Sequence, residues 1–326
     1  MSGAQASIGP WGWSPHLFLW ALVGGFGCAV TLLHQRLHST RDHPAPWPRV
    51  RAYRFVAALV AMIIAMGWPL GGLAAHWSLI ALVLQRSILV LVVAPLLLSG
   101  LPDDVIRWVT RPAAVDAVLM RILRPPAAVV CVTVLLVGTM APPMVATQSH
   151  SMVARGLLAL VVVVAGLILW LPIMGRVPGI ARPRPMIRAV YLVAQSVVPV
   201  FLSFIFILAT RPLYPAFSGS TDGLGLTPLG DQQVAGFVSK LSFLISLLTV
   251  AAVILSQAPD TDDDFGPEDP LVWADIERHF ERADRKGGPS SGSMPDVETT
   301  TGDPSSDDVE PPNDAGPGRD KGAASE

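Results

Sequence analysis

Seven stretches of this chain each run for about 20 residues with hardly a charge in them. That is the length of α-helix needed to cross the hydrocarbon core of a bilayer. They fall at about residues 16–33, 55–75, 78–99, 127–145, 153–175, 190–210 and 234–256. Backbone polar groups find no water in hydrocarbon, so such stretches must be helical. Pro or Gly inside them is tolerated where neighbouring groups satisfy the freed backbone. The expected fold is all-α: a polytopic membrane domain over residues 1–256, built as a seven-helix bundle. One feature breaks the pattern. The third stretch, SLIALVLQRSILVLVVAPLLL, carries Gln85 and Arg86 where lipid-facing sequence would carry neither.

The connections set the orientation. The loop after the first span, HQRLHSTRDHPAPWPRVRAYR, holds five Arg. The loop after the third holds Arg107, Arg111, Arg121 and Arg124, and the loop after the fifth holds Arg176, Arg182, Arg184 and Arg188. Of the alternate connections, only the sixth has a basic residue, Arg211. Basic loops stay in the cytoplasm, so the N-terminus is expected outside, the C-terminus in the cytoplasm, and the location a bacterial cell membrane. The N-terminal MSGAQASIGPWGWSP has no basic segment, so the first apolar run is expected to be a retained helix rather than a cleaved signal.

The formal charge of −2 hides an uneven distribution: 19 of the 25 acidic residues lie from Asp260 onward, and 17 of the 23 basic ones lie before it. The basic residues sit between apolar runs, which fits a lipid bilayer and not a nucleic-acid partner. Residues 257–286 form an acidic juxtamembrane segment. Asp269-Pro270 would start a short helix there, with Val272, Ile276 and Phe280 on one face. Residues 287–326, rich in Gly, Ser, Pro and Asp, are expected to be disordered. The segment DDVIRWVTRPAAVDAVLMRIL should form short interfacial helices broken at Pro112. Cys28 and Cys131 each lie in an apolar run and read as small helix residues; Met62 and Met66, at i, i+4, read as packing.

Four short motifs then appear in order: APLLLSGLP ends the third span, AGLILWLP lies in the fifth, RPLYPAF opens the sixth loop, and LTPLGDQQVAG starts the seventh span. Together they resemble the seven-span CtaG family of bacterial cytochrome c oxidase assembly factors, over roughly residues 50–256. The resemblance implies a non-enzymatic assembly role at the outer face, where the oxidase's copper-bearing CuA domain is matured. It also implies oxidase subunits as partners and copper as the candidate metal. In that family the third span begins H-M-x-x-H, the fourth ends W-H-L-P and the fifth begins H-x-x-x-H. Anchored on Pro95, Pro142 and Pro172, the matching positions here are Val83 and Ser87, Thr139 and Met140, and Arg155 and Ala159. None is His, so the resemblance implies a rebuilt site.

Two constellations are candidates for what replaced it. Met140, Met144, His150 and Met152, with His76 at the end of the second span, offer thioether and imidazole groups suited to Cu(I). Arg86, Arg155 and Lys240 put three cations in the outer half of the bundle, with no acid inside any span. Such charges face the bundle interior or water. They would meet an anion or a partner's carboxylate, or else pair with Asp231 and backbone carbonyls or snorkel outward. Asp231, Gln232 and Gln233 would cap their own helix or hold the sixth loop against the bundle or a client. The competing functions are a small-solute or metal-ion transporter, which lacks the expected repeated halves, and a metal-free membrane scaffold or sensor. No nucleophile with a base, and hence no enzyme, is expected. The sequence leaves the oligomeric state open.

Overall fold

The computed structural model describes residues 17–39, 47–177, 182–217 and 225–258, and every regular element among them is helical. Helix α1 (Leu17–Ser39) fills the first apolar run. The second run is not one helix. It divides into α2 (Arg49–Met66) and α3 (Leu70–His76), bent by 41° at the break. The cause is Gly67-Trp68-Pro69: Pro69 has no N–H, and its ring would collide with the Ala65 carbonyl of a continuing helix. The Trp68-Pro69 peptide is cis.

The third run stays whole over Leu79–Gly100, but not uniformly. Helix α4 (Leu79–Ile88) widens into a π-helical turn at Leu89–Val93 and resumes as α5 (Ala94–Gly100). Pro95 cannot donate to the Leu91 carbonyl, and the wider turn accommodates its ring. Two short helices follow, α6 (Asp103–Thr110) and α7 (Ala113–Ile122), separated at Pro112 as expected.

The fourth run also departs from the expected single helix over 127–145. Helix α8 (Pro125–Thr139) has only 15 residues, and the α7–α8 pair is bent by 94°. Pro142 and Pro143 bring no N–H to continue the ladder. The chain restarts there as α9 (Pro142–His150). The last three helices are long: α10 (Met152–Met174), α11 (Pro185–Leu208) and α12 (Pro228–Ser256). Prolines inside α10 and α11 do not break them; Pro172 lies in the last turn of α10, which Gly175 closes at φ 58°. Among the described residues, four helices could cross a membrane by length and composition: Leu79–Gly100, α10, α11 and α12. The number is up to six if each bent pair counts as one span.

The α4–α5 helix lies at the centre, with α2, α3, α10 and α12 against it, and α11 packs along α12. Glycine sets two close approaches. A Cβ on Gly166 would stand 2.8 Å from the Ala94 Cβ, and one on Gly236 would stand 2.9 Å from the Ser203 carbonyl oxygen. Small residues at such crossings bring membrane helices into van der Waals contact. Met62 and Met66 pack against the core as expected, and Cys28 and Cys131 are unbridged. Outward, Val130, Val134, Phe201 and Ile205 are exposed, as a lipid-facing surface requires.

The connections separate into two ends. At one, Asp103 pairs with Arg51 and with Arg176 at 3.2 Å, and His34 meets Asp104 at 2.8 Å. The first, third and fifth loops therefore meet there. The second, fourth and sixth loops meet at the other end, described below. The helix expected from Asp269 and the tail over 287–326 lie outside the described residues.

Candidate functional site

The end that gathers the second, fourth and sixth loops is built from carbonyls that prolines and helix ends leave without donors. Each receives a side chain from a distant part of the chain. In α2 the residue four past Ala65 is Pro69, so the Ala65 carbonyl has no helical donor; Gln85 Nε2 donates to it at 3.0 Å. This accounts for the amide inside the third span. At the α8–α9 break the Met144 N–H bonds to the Ala141 carbonyl. The Met140 carbonyl is left over, and the Tyr214 hydroxyl donates to it at 2.7 Å. Burial raises the Tyr214 phenol to about 12, against the opposing pull of Arg86. Deeper in the bundle, Pro95 cannot serve Val90 in the π register. The Trp170 indole N–H donates to the Val90 carbonyl at 2.8 Å instead.

Asp231, Gln232 and Gln233 complete the arrangement, and Asp231 does not cap its own helix. Thr227 does that, accepting from the Gly230 N–H. The Asp231 carboxylate instead accepts from the Ser78 hydroxyl and the Leu79 N–H, both at 2.6 Å. It thus sits at the N-terminus of α4, where the helix dipole favours a negative charge. Gln232 accepts from the Leu213 N–H at 2.7 Å and donates to the Phe206 carbonyl, and Gln233 donates to the Ile207 carbonyl. Those two carbonyls belong to the last turn of α11, which has no helical donors left. The motif therefore ties α4, α11 and the sixth loop to α12.

The cations do not pair with Asp231. Arg86 is buried. Its Nη1 donates to Thr139 Oγ1 and Met140 Sδ, and its Nη2 donates to Gln148 Oε1 at 3.2 Å. Arg155 donates to His76 Nε2 at 3.2 Å and to the Gln148 carbonyl. Gln148 thus joins the two guanidinium groups from opposite ends of one residue. Lys240 stands apart, 5.0 Å from the centre of the Phe204 ring, a cation–π distance. Arg86 and Arg155 therefore meet while Lys240 does not join them, and among the described residues none of the three has an acidic partner.

The proposed metal ligands fit copper poorly. A guanidinium only donates. The Met140 sulfur and the His76 Nε2 therefore spend a lone pair on an arginine that a metal would need. Two cations also stand where a third would enter. Met144, His150 and Met152 are exposed, whereas Met140 is buried. Among the described residues no group of three or more His, Cys, Asp or Glu could hold an ion. Arg86 also lines an open cleft whose cavity volume is about 50 Å³, shared by Val83, Ser87 and Met140. These are three of the positions where the family resemblance expects histidine, and the fold does bring them together.

Tyr214, Ser78, Thr139 and Gln148 were not marked as site residues by the sequence. Tyr214 lay in a noticed motif and could have been found by asking which prolines strand a carbonyl. Gln148 carries no signal, being one amide in a loop.

Comparison with known proteins places these features in context. A family model described as cytochrome c oxidase caa3 assembly factor matches residues 25–259. No curated protein and no solved structure matches the chain.

Proposed function

Because the chain belongs to the cytochrome c oxidase caa3 assembly factor family, we propose that it is a non-enzymatic, seven-span protein of the bacterial plasma membrane. It holds an oxidase subunit at its outer face during maturation, without a metal of its own. The carrying observation is that Arg86 and Arg155 occupy Met140 and His76, two of the soft ligands a copper-handling site would use. Arginine bias supports the orientation: Arg51, Arg54, Arg107 and Arg176 lie towards the Asp103 end, which is then cytoplasmic. The opposite end, braced by Asp231, Gln232 and Tyr214, is then outside. A braced surface loses little freedom on binding a partner. Met144, His150 and Met152 are exposed beside it and are not needed for the bracing.

The test is oxidase maturation in a deletion strain, followed by the a-type haem absorbance of its membranes. The unaltered chain should restore the signal. The double variant Met144→Ala, His150→Ala should restore most of it. Arg86→Ala and Asp231→Ala should restore little. Stoichiometric Cu(I) binding by purified protein, lost in the double variant together with the haem signal, would overturn the metal-free reading.

A further inference from the structure

Arg86 carries a buried charge that no acid among the described residues neutralises. Its guanidinium has five N–H donors. Thr139, Met140 and Gln148 take three. Among the described residues, the Nε–H and one Nη2–H have no partner. These nitrogens share the edge of the guanidinium plane that binds a carboxylate side-on. A buried cation with only neutral partners is costly and calls for an anion.

The cavity beside it indicates the ligand's other half. Its walls are mostly apolar, with Val132, Leu136 and Val137 on α8 facing Pro199 and Leu202 on α11, and Phe243 on α12 behind them. Val137 is 40% exposed, so the α8 wall reaches the lipid-facing surface. Four further polar residues line the cavity: the Ser87 and Thr133 hydroxyls donate to the Val83 and Val129 carbonyls of their own helices, and the other two are Gln195 and Ser239, 2% and 8% exposed. Gln195 Nε2 is used by Tyr191, but its Oε1 and the Ser239 hydroxyl have no partner among the described residues. Those two can take a ligand hydroxyl or a water.

We propose that this cleft between α8 and α11 binds a long-chain carboxylate from the bilayer, its head on the free edge of Arg86 and its alkyl chain along the apolar walls. A phospholipid phosphate fits less well. Arg86 lies seven residues into α4, about 10 Å along the helix axis, below the level of a headgroup whose two chains anchor it at the surface. A single chain can slide to that depth. The site shares Arg86 with the arrangement above, but binding to the purified chain needs no oxidase subunit, so it is read apart from oxidase maturation.

Three probes with the same chain separate the terms: hexadecanoate, hexadecanol and hexadecyl phosphate. Binding of each is measured on the purified full chain in uncharged detergent. Hexadecanoate should bind saturably, one per chain, and hexadecanol roughly tenfold or more weaker, since it lacks the charge. Arg86→Gln should lower hexadecanoate binding by a similar factor and leave hexadecanol unchanged. Val137→Trp, at an exposed position where folding is not at stake, should narrow the mouth and weaken both. Non-saturable hexadecanoate binding, equal binding of acid and alcohol, or indifference to Val137→Trp would overturn the proposal. Tighter binding of hexadecyl phosphate than of hexadecanoate would overturn the carboxylate assignment.

Discussion

Replacing Trp170 with Phe keeps the ring and deletes one N–H, leaving the Val90 carbonyl buried with no donor. A stranded buried carbonyl costs about 1–3 kcal/mol, so thermal unfolding in detergent should move down. Pro95→Ala supplies an N–H where the π turn lacks one. In that background the same Trp170→Phe change should cost measurably less, a coupling that a double-mutant cycle reads directly. Equal costs in both backgrounds would mean that the indole serves only by packing. Asp103 offers a pH test at the opposite end. Burial pushes its carboxyl up, but the hydrogen bond from Arg51 and the charges of Arg176, Arg51 and Arg107 outweigh this and hold it below its usual value. A lowered folded value means the contribution is full above the unfolded value of about 4 and is lost as pH falls through the folded one. Asp103→Asn should therefore lower stability slightly at neutral pH and flatten its decline at acid pH. The effect should be small, because the side chain is half exposed.

Helices α11 and α12 meet where Gly236 faces the Ser203 carbonyl and Phe206. Backbone cannot retreat as a flexible side chain can, so Gly236→Val should push the two helices apart and sharply lower the unfolding temperature. Val234→Ala, on the exposed side of α12, should leave it nearly unchanged. At this scale the sequence is informative in one respect and silent in another. Apolar runs of about 20 residues announce helices because hydrocarbon permits little else, and α1, α4–α5, α10, α11 and α12 lie where those runs do. Proline is ambiguous. Pro172 and Pro199 sit inside continuous helices, whereas α2 stops short of Pro69 and α8 stops short of the Pro142-Pro143 pair. A donor for the stranded carbonyl does not decide it, since Gln85 serves Ala65 and α2 still ends there; the packing around each proline does, and that is a tertiary fact. The same holds for the candidate site. Asp231 looked like a local cap, yet its partners Ser78 and Leu79 are about 150 residues away. No local pattern encodes that separation.

For the molecule as a whole, the proposed orientation has a direct check. A reporter active only outside the cytoplasm, fused after Ser256, should be silent, and the same reporter inserted between residues 217 and 225 should be active. The reverse pattern would invert the bundle and remove the outer-face role. One further consequence concerns the bilayer. Helix α8 has 15 residues and is about 22 Å long, against a hydrocarbon thickness of about 30 Å. Its outward residues Val130, Val134 and Val137 are apolar; where α8 alone crosses the bilayer, lipid meets them and the leaflets along this one flank pinch inward. Such a dimple is an elastic deformation that costs fractions of a kcal/mol per Å of mismatch. It would be relieved by short-chain lipids and worsened by long ones. The protein should therefore gather thin membrane around the α8 flank and prefer neighbours whose own walls are short on the facing side.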